Sequence, residues 1–175
     1  TVDRLSLIGD AGPVTLTQPA RIILADGVAE LETVSLALFD GEFSASGRLE
    51  NDLLSGSLSI ERVAMAPIAG LAGVEIAAGQ LDAQATVSGT LTAPSGVLNL
   101  LLDGVRVDTG DDVGAPALRL EIAARLDAGS LNGKALLAGF GVDPLVVTLK
   151  SRIPEPGATI PVDARALWKG DLGTL

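Results

Sequence analysis

The 175-residue chain contains no cysteine and no histidine, and it has only three phenylalanines, one tryptophan and no tyrosine. Without cysteine there are no disulfides, thiolate nucleophiles or cysteine-ligated metals. Without histidine the chain lacks the commonest metal ligand and the side chain that ordinarily titrates near neutral pH. A serine–histidine–acid triad therefore cannot form. We predict that the chain is not an enzyme and holds no cofactor.

Basic residues are also scarce: 12 lysines and arginines stand against 22 acidic residues, which gives a net charge of −10. This balance disfavours electrostatic binding to nucleic acid or to an anionic membrane surface. The acidic residues are scattered singly among apolar ones, as they are on the solvated face of a sheet. No apolar run approaches the roughly 20 residues that a membrane-spanning helix needs. We expect no nucleic-acid partner.

The densest carboxylate cluster is Asp111-Asp112, with Asp108 nearby. These residues are a candidate calcium or magnesium site. The flanking glycines and the absence of EF-hand spacing favour a plain turn instead, so we predict no metal.

Two pairs of glutamates are candidates for a glycosidase site: Glu30 with Glu32, and Glu42 with Glu50. They lie among alternating strand positions, which favours a solvated sheet face. The glycine-rich segment 70–73 lacks the lysine and hydroxyl residues of a phosphate-binding loop.

What the chain does have is apolar residues, 47% of the total, and they recur with period two. Such alternation places the apolar residues on one face of a strand and the residues between them on the other. The clearest run lies between residues 81 and 91. The residues predicted to line a common apolar interior are Val34, Leu36, Leu38, Leu58, Ile60, Leu81, Ala83, Ala85, Val87, Leu91, Leu98, Leu100, Leu118, Leu120, Ile122, Leu126, Leu145, Val147 and Leu149.

Glycine, proline, asparagine and aspartate mark the predicted turns, because tight hairpins require positive φ. These turns are Gly9–Pro13, Asp26-Gly27, Asp40-Gly41, Glu50–Asp52, Ala93–Gly96, Gly110–Asp112 and Asn132-Gly133. At Asp103-Gly104 the apolar phase shifts within a strand-like run, which predicts a β-bulge. The alanine-rich segment between Pro67 and Ala78 is the one candidate helix. The proline-rich segment from Ile153 to Pro161 is predicted to be an extended connector or an edge segment of the sheet.

These patterns predict an all-β fold: a long, curled, largely antiparallel sheet that forms a trough with a hydrophobic interior and has at most one short helix. A short motif, serine or alanine followed by glycine, recurs at Ser46-Gly47, Ser88-Gly89 and Ala128-Gly129, at spacings of 42 and 40 residues. Residues 1–175 are therefore interpreted as a single β-repeat segment cut from a longer chain. A parallel β-helix is the alternative fold, since its repeating coils can also have a sequence period of this length.

The run from Val87 to Leu98, with its Ser-Gly-Thr-Leu step before Ala93-Pro94, is followed by alternating leucines up to Val107. Together with segments 125–135 and 168–172, this run resembles the TamB family. The related AsmA-like proteins share this kind of sequence pattern. The resemblance covers most of the chain from about Gly41 onward. It implies a periplasmic location, within a large protein anchored to the bacterial inner membrane.

The resemblance also implies a trough that moves phospholipid, or that assists outer-membrane biogenesis. We accordingly expect a segment that holds phospholipid acyl chains in a hydrophobic groove for transport from the inner to the outer membrane. One alternative is a scaffold that assembles outer-membrane β-barrel proteins beside a TamA-like partner of the Omp85 family. The other is a packed β-repeat stalk or adhesin. Exposed edge strands also predict self-association.

Overall fold

The protein is described from a computed structural model, which covers residues 2, 6–9, 12–71, 76–107, 116–139, 143–152 and 162–167. These residues form twelve strands in one sheet and one short helix. The elements are β1 Ser6–Gly9, β2 Gly12–Leu16, β3 Ile22–Ala25, β4 Val28–Leu38, β5 Gly41–Glu50, β6 Leu53–Ala64, α1 Met65–Leu71, β7 Ile76–Thr90, β8 Ala93–Val107, β9 Leu118–Asp127, β10 Ser130–Ala138, β11 Leu145–Arg152 and β12 Val162–Leu167.

Neighbouring strands in the sheet are almost always neighbours in the chain. The order is β1-β2-β4-β5-β6-β7-β8-β9-β10-β11-β12, and β3 pairs with the free end of β4 beside β2. Each pair is antiparallel, and the first and last strands do not meet within the described residues, so the sheet does not close. The predicted all-β, antiparallel fold is confirmed, and the parallel β-helix alternative is wrong.

Two-residue turns join the strands at one end of the sheet, which we call the turn end. Three of these turns have positive φ at both central residues, as type I′ hairpins require. They are Asp26-Gly27, Asn51-Asp52 and Ala128-Gly129. The first two were predicted from their sequence.

The turn predicted at Asn132-Gly133 is wrong, because these residues lie inside β10. A turn there would set Leu131 opposite Lys134 and mix the two faces. The observed turn at 128–129 instead pairs Leu131 with Leu126 and Ala135 with Ile122. The apolar register therefore outweighs the local turn preference of Asn-Gly.

The turn predicted at Ala93–Gly96 is also wrong, since that segment opens β8. The observed turn is Leu91-Thr92, which follows directly after β7. Here the Thr90 hydroxyl accepts a hydrogen bond from the Ala93 amide at 3.1 Å. A threonine side chain, rather than glycine or proline, closes this hairpin.

The turn predicted at Asp40-Gly41 is displaced by one residue. Phe39 and Asp40 are the turn residues, with φ of 48° and 63°, and Gly41 begins β5. A Cβ atom at Gly41 would lie 2.5 Å from the Glu61 carbonyl oxygen and 2.6 Å from the Val63 nitrogen. Gly41 is needed for the close approach of β5 to β6 and not for the turn itself.

The helix α1 confirms the expected short helix but begins earlier than predicted. Pro67 is its third residue, within the first turn, where proline removes no helical hydrogen bond. The predicted continuation through residues 76–78 is wrong, because these residues begin β7. The bulge predicted at Asp103-Gly104 is confirmed: the register shifts between Leu102 and Val105, and Gly104 has φ of 65°.

The recurring motif lies in three different places: the middle of β5, the end of β7 and the turn after β9. The unit that recurs in the described residues is the hairpin. Several predicted features lie outside the described residues: the centre of the Gly9–Pro13 turn, the Gly110–Asp112 turn with Asp108, the connector from Ile153 to Pro161, and segment 168–172.

Candidate functional site: the apolar face of the sheet

One face of the sheet, called here the apolar face, carries apolar side chains across ten strands. Directly paired residues on antiparallel strands point to the same face. At about 4.8 Å between strands, a row crossing ten of them extends for roughly 43 Å. The central row consists of Leu16, Leu36, Phe43, Ile60, Ala83, Leu100, Ile122, Ala135, Val147 and Ala166.

Parallel rows on either side extend this face along the strands. On the side toward the turn end the row consists of Val34, Ala45, Leu58, Ala85, Leu98, Ala124, Gly133, Leu149 and Ala164. On the other side it consists of Val63, Leu81, Leu102, Leu120, Leu137 and Leu145.

All of the predicted lining residues except Leu91 lie in strands on the apolar face. Leu91 lies in the two-residue turn, where its amide donates to the Asp52 carbonyl oxygen at 3.0 Å. Its assignment failed because the alternation continues past the end of the strand. Phe43 and Leu137 belong to the face but were not predicted, although alternation with Ala45 and with Ala135 would have identified them.

The opposite face, called here the outer face, carries most of the polar side chains of the strands, together with the aliphatic Val97, Leu101, Leu136 and Val146. Its central row consists of Ser35, Ser44, Ser59, Gln84, Asn99, Ala123, Lys134, Thr148 and Arg165. Asp82, Thr86, Arg119 and Glu121, which were predicted to face solvent, also lie on it. The polar side chains of the strands therefore lie mainly on the outer face, as the sequence predicted.

The two faces differ in how far their side chains are covered. Within β9, Ala123 on the outer face is exposed, whereas Ala124 on the apolar face is half-buried. All twelve strands of the described residues belong to one sheet, so within this part of the chain no second sheet buries the apolar face. In the described residues only Ala20, Val63, Ala69 and Ala83 are buried apolar residues, so the apolar face is not sealed.

The burial of side chains on the apolar face also changes along the strands, from one end of the sheet to the other. At the helix end, where α1 follows β6, Val63 is 1% exposed. At the centre, Ala83 is 6% exposed, and one row further toward the turn end Leu98 is 36% exposed. At the turn end, Leu24 on the edge strand β3 is 76% exposed, and Leu91, in the turn after β7, is also exposed.

Most of the candidate glycosidase carboxylates form ion pairs on the outer face. Arg48 binds Glu30 and Glu50, each at 2.8 Å, and Arg21 binds Glu32 at 3.2 Å. The hydrogen bond from Arg48 to Glu50, with the charges of Glu50 and Glu30, raises the pKa of the Arg48 guanidinium.

The other candidate pair is separated by the strand itself. Glu42 and Glu50 lie near opposite ends of β5, about 26 Å apart along an extended strand. A glycosidase pair requires about 5–9.5 Å.

A depression of about 450 Å³ lies on the outer face between Asp82 and Lys134. Its lining includes Ala123 and both polar and aliphatic side chains, among them Glu121, Leu101 and Leu136. Within the described ranges, no group of three or more acidic residues is placed to hold a metal ion. The helix α1 is too short to cross a membrane, and it is the one helix in this part of the chain.

Comparison with family models, with curated proteins and with solved structures finds no match to this chain. The likeness to the TamB family therefore rests on the sequence phrases alone.

Proposed function

We propose that this chain holds phospholipid acyl chains on its apolar face and is a segment of a conduit between the bacterial inner and outer membranes. The observation that carries the proposal is the central apolar row, which crosses ten strands without a polar side chain. Leu98, in the next row, is 36% exposed, so the face is accessible to a ligand.

Exposed apolar area favours an apolar occupant. At about 25 cal/mol per Å², a few hundred Å² left in water costs several kcal/mol. Acyl chains suit this surface because they need apolar contact and no directional hydrogen bonds. A tail covers half of a bilayer's hydrocarbon core, about 15 Å, so a row of roughly 43 Å is longer than one tail.

The mechanism is passive. The tails contact the apolar face while the headgroups stay in water at the opening of the trough. Uniform apolar rows present no polar barrier along the sheet, so a tail can pass from one strand to the next. The resemblance to the TamB family supports a periplasmic location, in a longer protein anchored to the inner membrane.

An assembly scaffold for outer-membrane β-barrel proteins is the second candidate, and strand β3 favours it. Its residues Ile22 and Leu24 are exposed, and within the described residues β3 pairs only with β4. An open edge can bind an extended strand by β-augmentation. A nascent barrel strand or a TamA-like protein of the Omp85 family fits this role, and a second copy of the chain would self-associate by the same edge.

The test compares Leu100→Asp with Asn99→Asp, because the two positions are neighbours in β8 and point to opposite faces. On an open face water reaches the new carboxylate, so Leu100→Asp should lower the free energy of unfolding by less than about 3 kcal/mol. The same charge repels acyl chains. Native mass spectrometry should therefore find bound phospholipid on the parent protein and on Asn99→Asp, but not on Leu100→Asp.

Each other outcome favours one alternative. Unfolding of Leu100→Asp would indicate a packed interior, as in a stalk, because an unpaired charge is not tolerated in a sealed core. Lipid retained at the parental level on a folded Leu100→Asp would contradict the conduit and leave the assembly scaffold.

A further inference from the structure

We propose that two copies of this chain associate through their outer faces, with acidic strands of each copy lying over basic strands of the other. This association goes beyond the proposed function, and it leaves the apolar face of each copy accessible.

The first support is a group of cations on the outer face of β9, β10 and β11, called here the basic cluster. It consists of Arg125, Lys134 and Lys150, which are exposed and form no ion pair with another described residue. Lys150 pairs in register with Asp163, but that carboxylate lies near Arg165 instead, at 3.7 Å. By strand spacing and register, the Cα atoms of the cluster lie within about 10 Å of one another.

The second support is a row of carboxylates on the outer face of β5, β6 and β7, called here the acidic cluster. It consists of Glu42, Glu61 and Asp82, and no described cation forms an ion pair with them. The Ser59 hydroxyl donates to Glu61 at 3.3 Å, and the Arg62 amide donates to Asp82 at 2.9 Å. Glu42 and Glu61 are directly paired, which sets like charges opposite each other at a cost in stability. A cation from a second molecule would relieve that repulsion.

The two clusters are too far apart to neutralise each other within one copy. Glu61 in β6 and Lys134 in β10 are separated by four strand spacings, about 19 Å. Charges on a protein surface are largely screened beyond roughly 8 Å at physiological ionic strength. Glu121 lies between the clusters, but it is already paired with Arg119, at 2.8 Å. A second copy of the chain carries the complement of both clusters.

Strand β8 lies midway between the clusters, with β7, β6 and β5 on one side and β9, β10 and β11 on the other. A twofold axis along β8, between two facing outer faces, sets β6 of each copy over β10 of the other, so both charge contacts form at once. Side chains at such an axis meet their own copies, where like charges would repel. The outer face of β8 is uncharged there, with Ser95, Val97, Asn99 and Leu101. Val97 is 41% exposed, so an apolar contact can form at the centre with charges around it.

The dimensions of the outer face suit a stable dimer. From β5 to β11 it crosses six strand spacings, about 29 Å, and strands of ten residues extend for about 33 Å. Each copy therefore presents roughly 950 Å², close to the 800 Å² per partner of a standard interface. Glu61 lies two residues, about 7 Å, nearer the helix end than the level of Lys134. The two sheets accordingly cross at an angle, as packed sheets ordinarily do, by about 30°.

Sedimentation velocity of the 175-residue chain tests the association. The parent chain should be a dimer in about 0.01 M salt and a monomer in about 1 M salt, because high salt screens charges beyond roughly 3 Å. The base-reversed variant is Lys134→Glu with Lys150→Glu, and the acid-reversed variant is Glu42→Lys with Glu61→Lys. Each variant alone should raise the dissociation constant of the dimer about a hundredfold, because attraction becomes repulsion at both symmetric contacts.

Mixing the two variants is the decisive measurement. In a heterodimer the reversed bases of one copy face the reversed acids of the other, and the two unchanged clusters meet at the second contact. An equimolar mixture should therefore dimerise as the parent chain does, although neither variant does so alone. The control is a chain with all four substitutions, which keeps the parental net charge of −10 and should also dimerise.

Each other outcome overturns the proposal. A parent chain that is monomeric in low salt, or that remains dimeric in high salt, would contradict an association through charge. Both variants dimerising at the parental level would place the contact elsewhere, as at the open edge of β3, and a mixture that stays monomeric would exclude the twofold arrangement. All four substituted side chains are exposed, so the variants should fold, and circular dichroism checks their strand content.

Discussion

The helix end and the turn end of this sheet are built from the same strands but differ in register and in cover. Near the helix end, β6, β7 and β8 all contain register shifts, at Ile60/Val63, between Ile76 and Gln80, and at Leu102/Val105. Toward the turn end the same three strands pair without interruption. Bulges bend a strand and increase its twist. In these three strands the buried Val63 lies at a register shift, whereas Leu98, where the pairing is regular, is 36% exposed.

The largest expected effect comes from placing the same charge at the two ends. Val63→Asp should lower the free energy of unfolding by about 3–5 kcal/mol, because it buries an unpaired carboxylate. Leu24→Asp should change it by less than about 0.5 kcal/mol, since the site is on the surface. Denaturant unfolding of both variants measures the difference. Similar losses of unfolding free energy at the two positions would contradict the difference in burial between the two ends of the sheet.

A smaller effect is expected from adding one methyl group at the helix end. Gly41→Ala drives a Cβ into the backbone of Glu61 and Val63, and should cost about 1–3 kcal/mol. Gly70→Ala is the control, because a Cβ there meets nothing within 4 Å and lies in α1. It should stabilise the protein by about 0.5–1 kcal/mol. Thermal unfolding gives the sign of each change, and a neutral Gly41→Ala would show that β5 and β6 can separate at no cost.

The smallest effect is expected from the charges that cross the outer face between β4 and β5. Arg48→Gln removes the ion pairs with Glu30 and Glu50. Exposed pairs are screened by water and salt, so the unfolding midpoint should stay within experimental error. The comparison is Arg21→Gln, which removes another exposed pair. A clear loss for Arg48→Gln alone would mean that these ion pairs stabilise the sheet.

Face assignment was predictable because it depends on a local pattern. The run from Leu118 to Asp127 alternates strictly, and each of its residues has the burial that the alternation predicts. The apolar residues of β7 and β8 were placed correctly for the same reason. Leu91 was not, since alternation alone does not show where a strand ends.

The positions of the turns, and the difference in burial between the helix end and the turn end, depend on how strands pair with one another. A local sequence pattern does not contain that pairing. Asn132-Gly133 has a strong local turn signal, yet the register of β10 with β9 places it inside a strand. Strand β12 was not predicted, because Val162–Leu167 is short and its Ala164 and Ala166 are small. Val63 is buried at the register shift in β6, where Gly41 of β5 approaches it closely, and the local sequence pattern contains neither feature.

The order of the strands has a consequence for how such a protein can change over evolutionary time. Apart from the contact between β2 and β4, every strand pair joins strands that are consecutive in the chain. Duplication or loss of one hairpin therefore alters the length of the sheet by about 10 Å and leaves the remaining pairs in place. The distance that the sheet spans can vary by whole hairpins, whereas its width is set by the length of each strand.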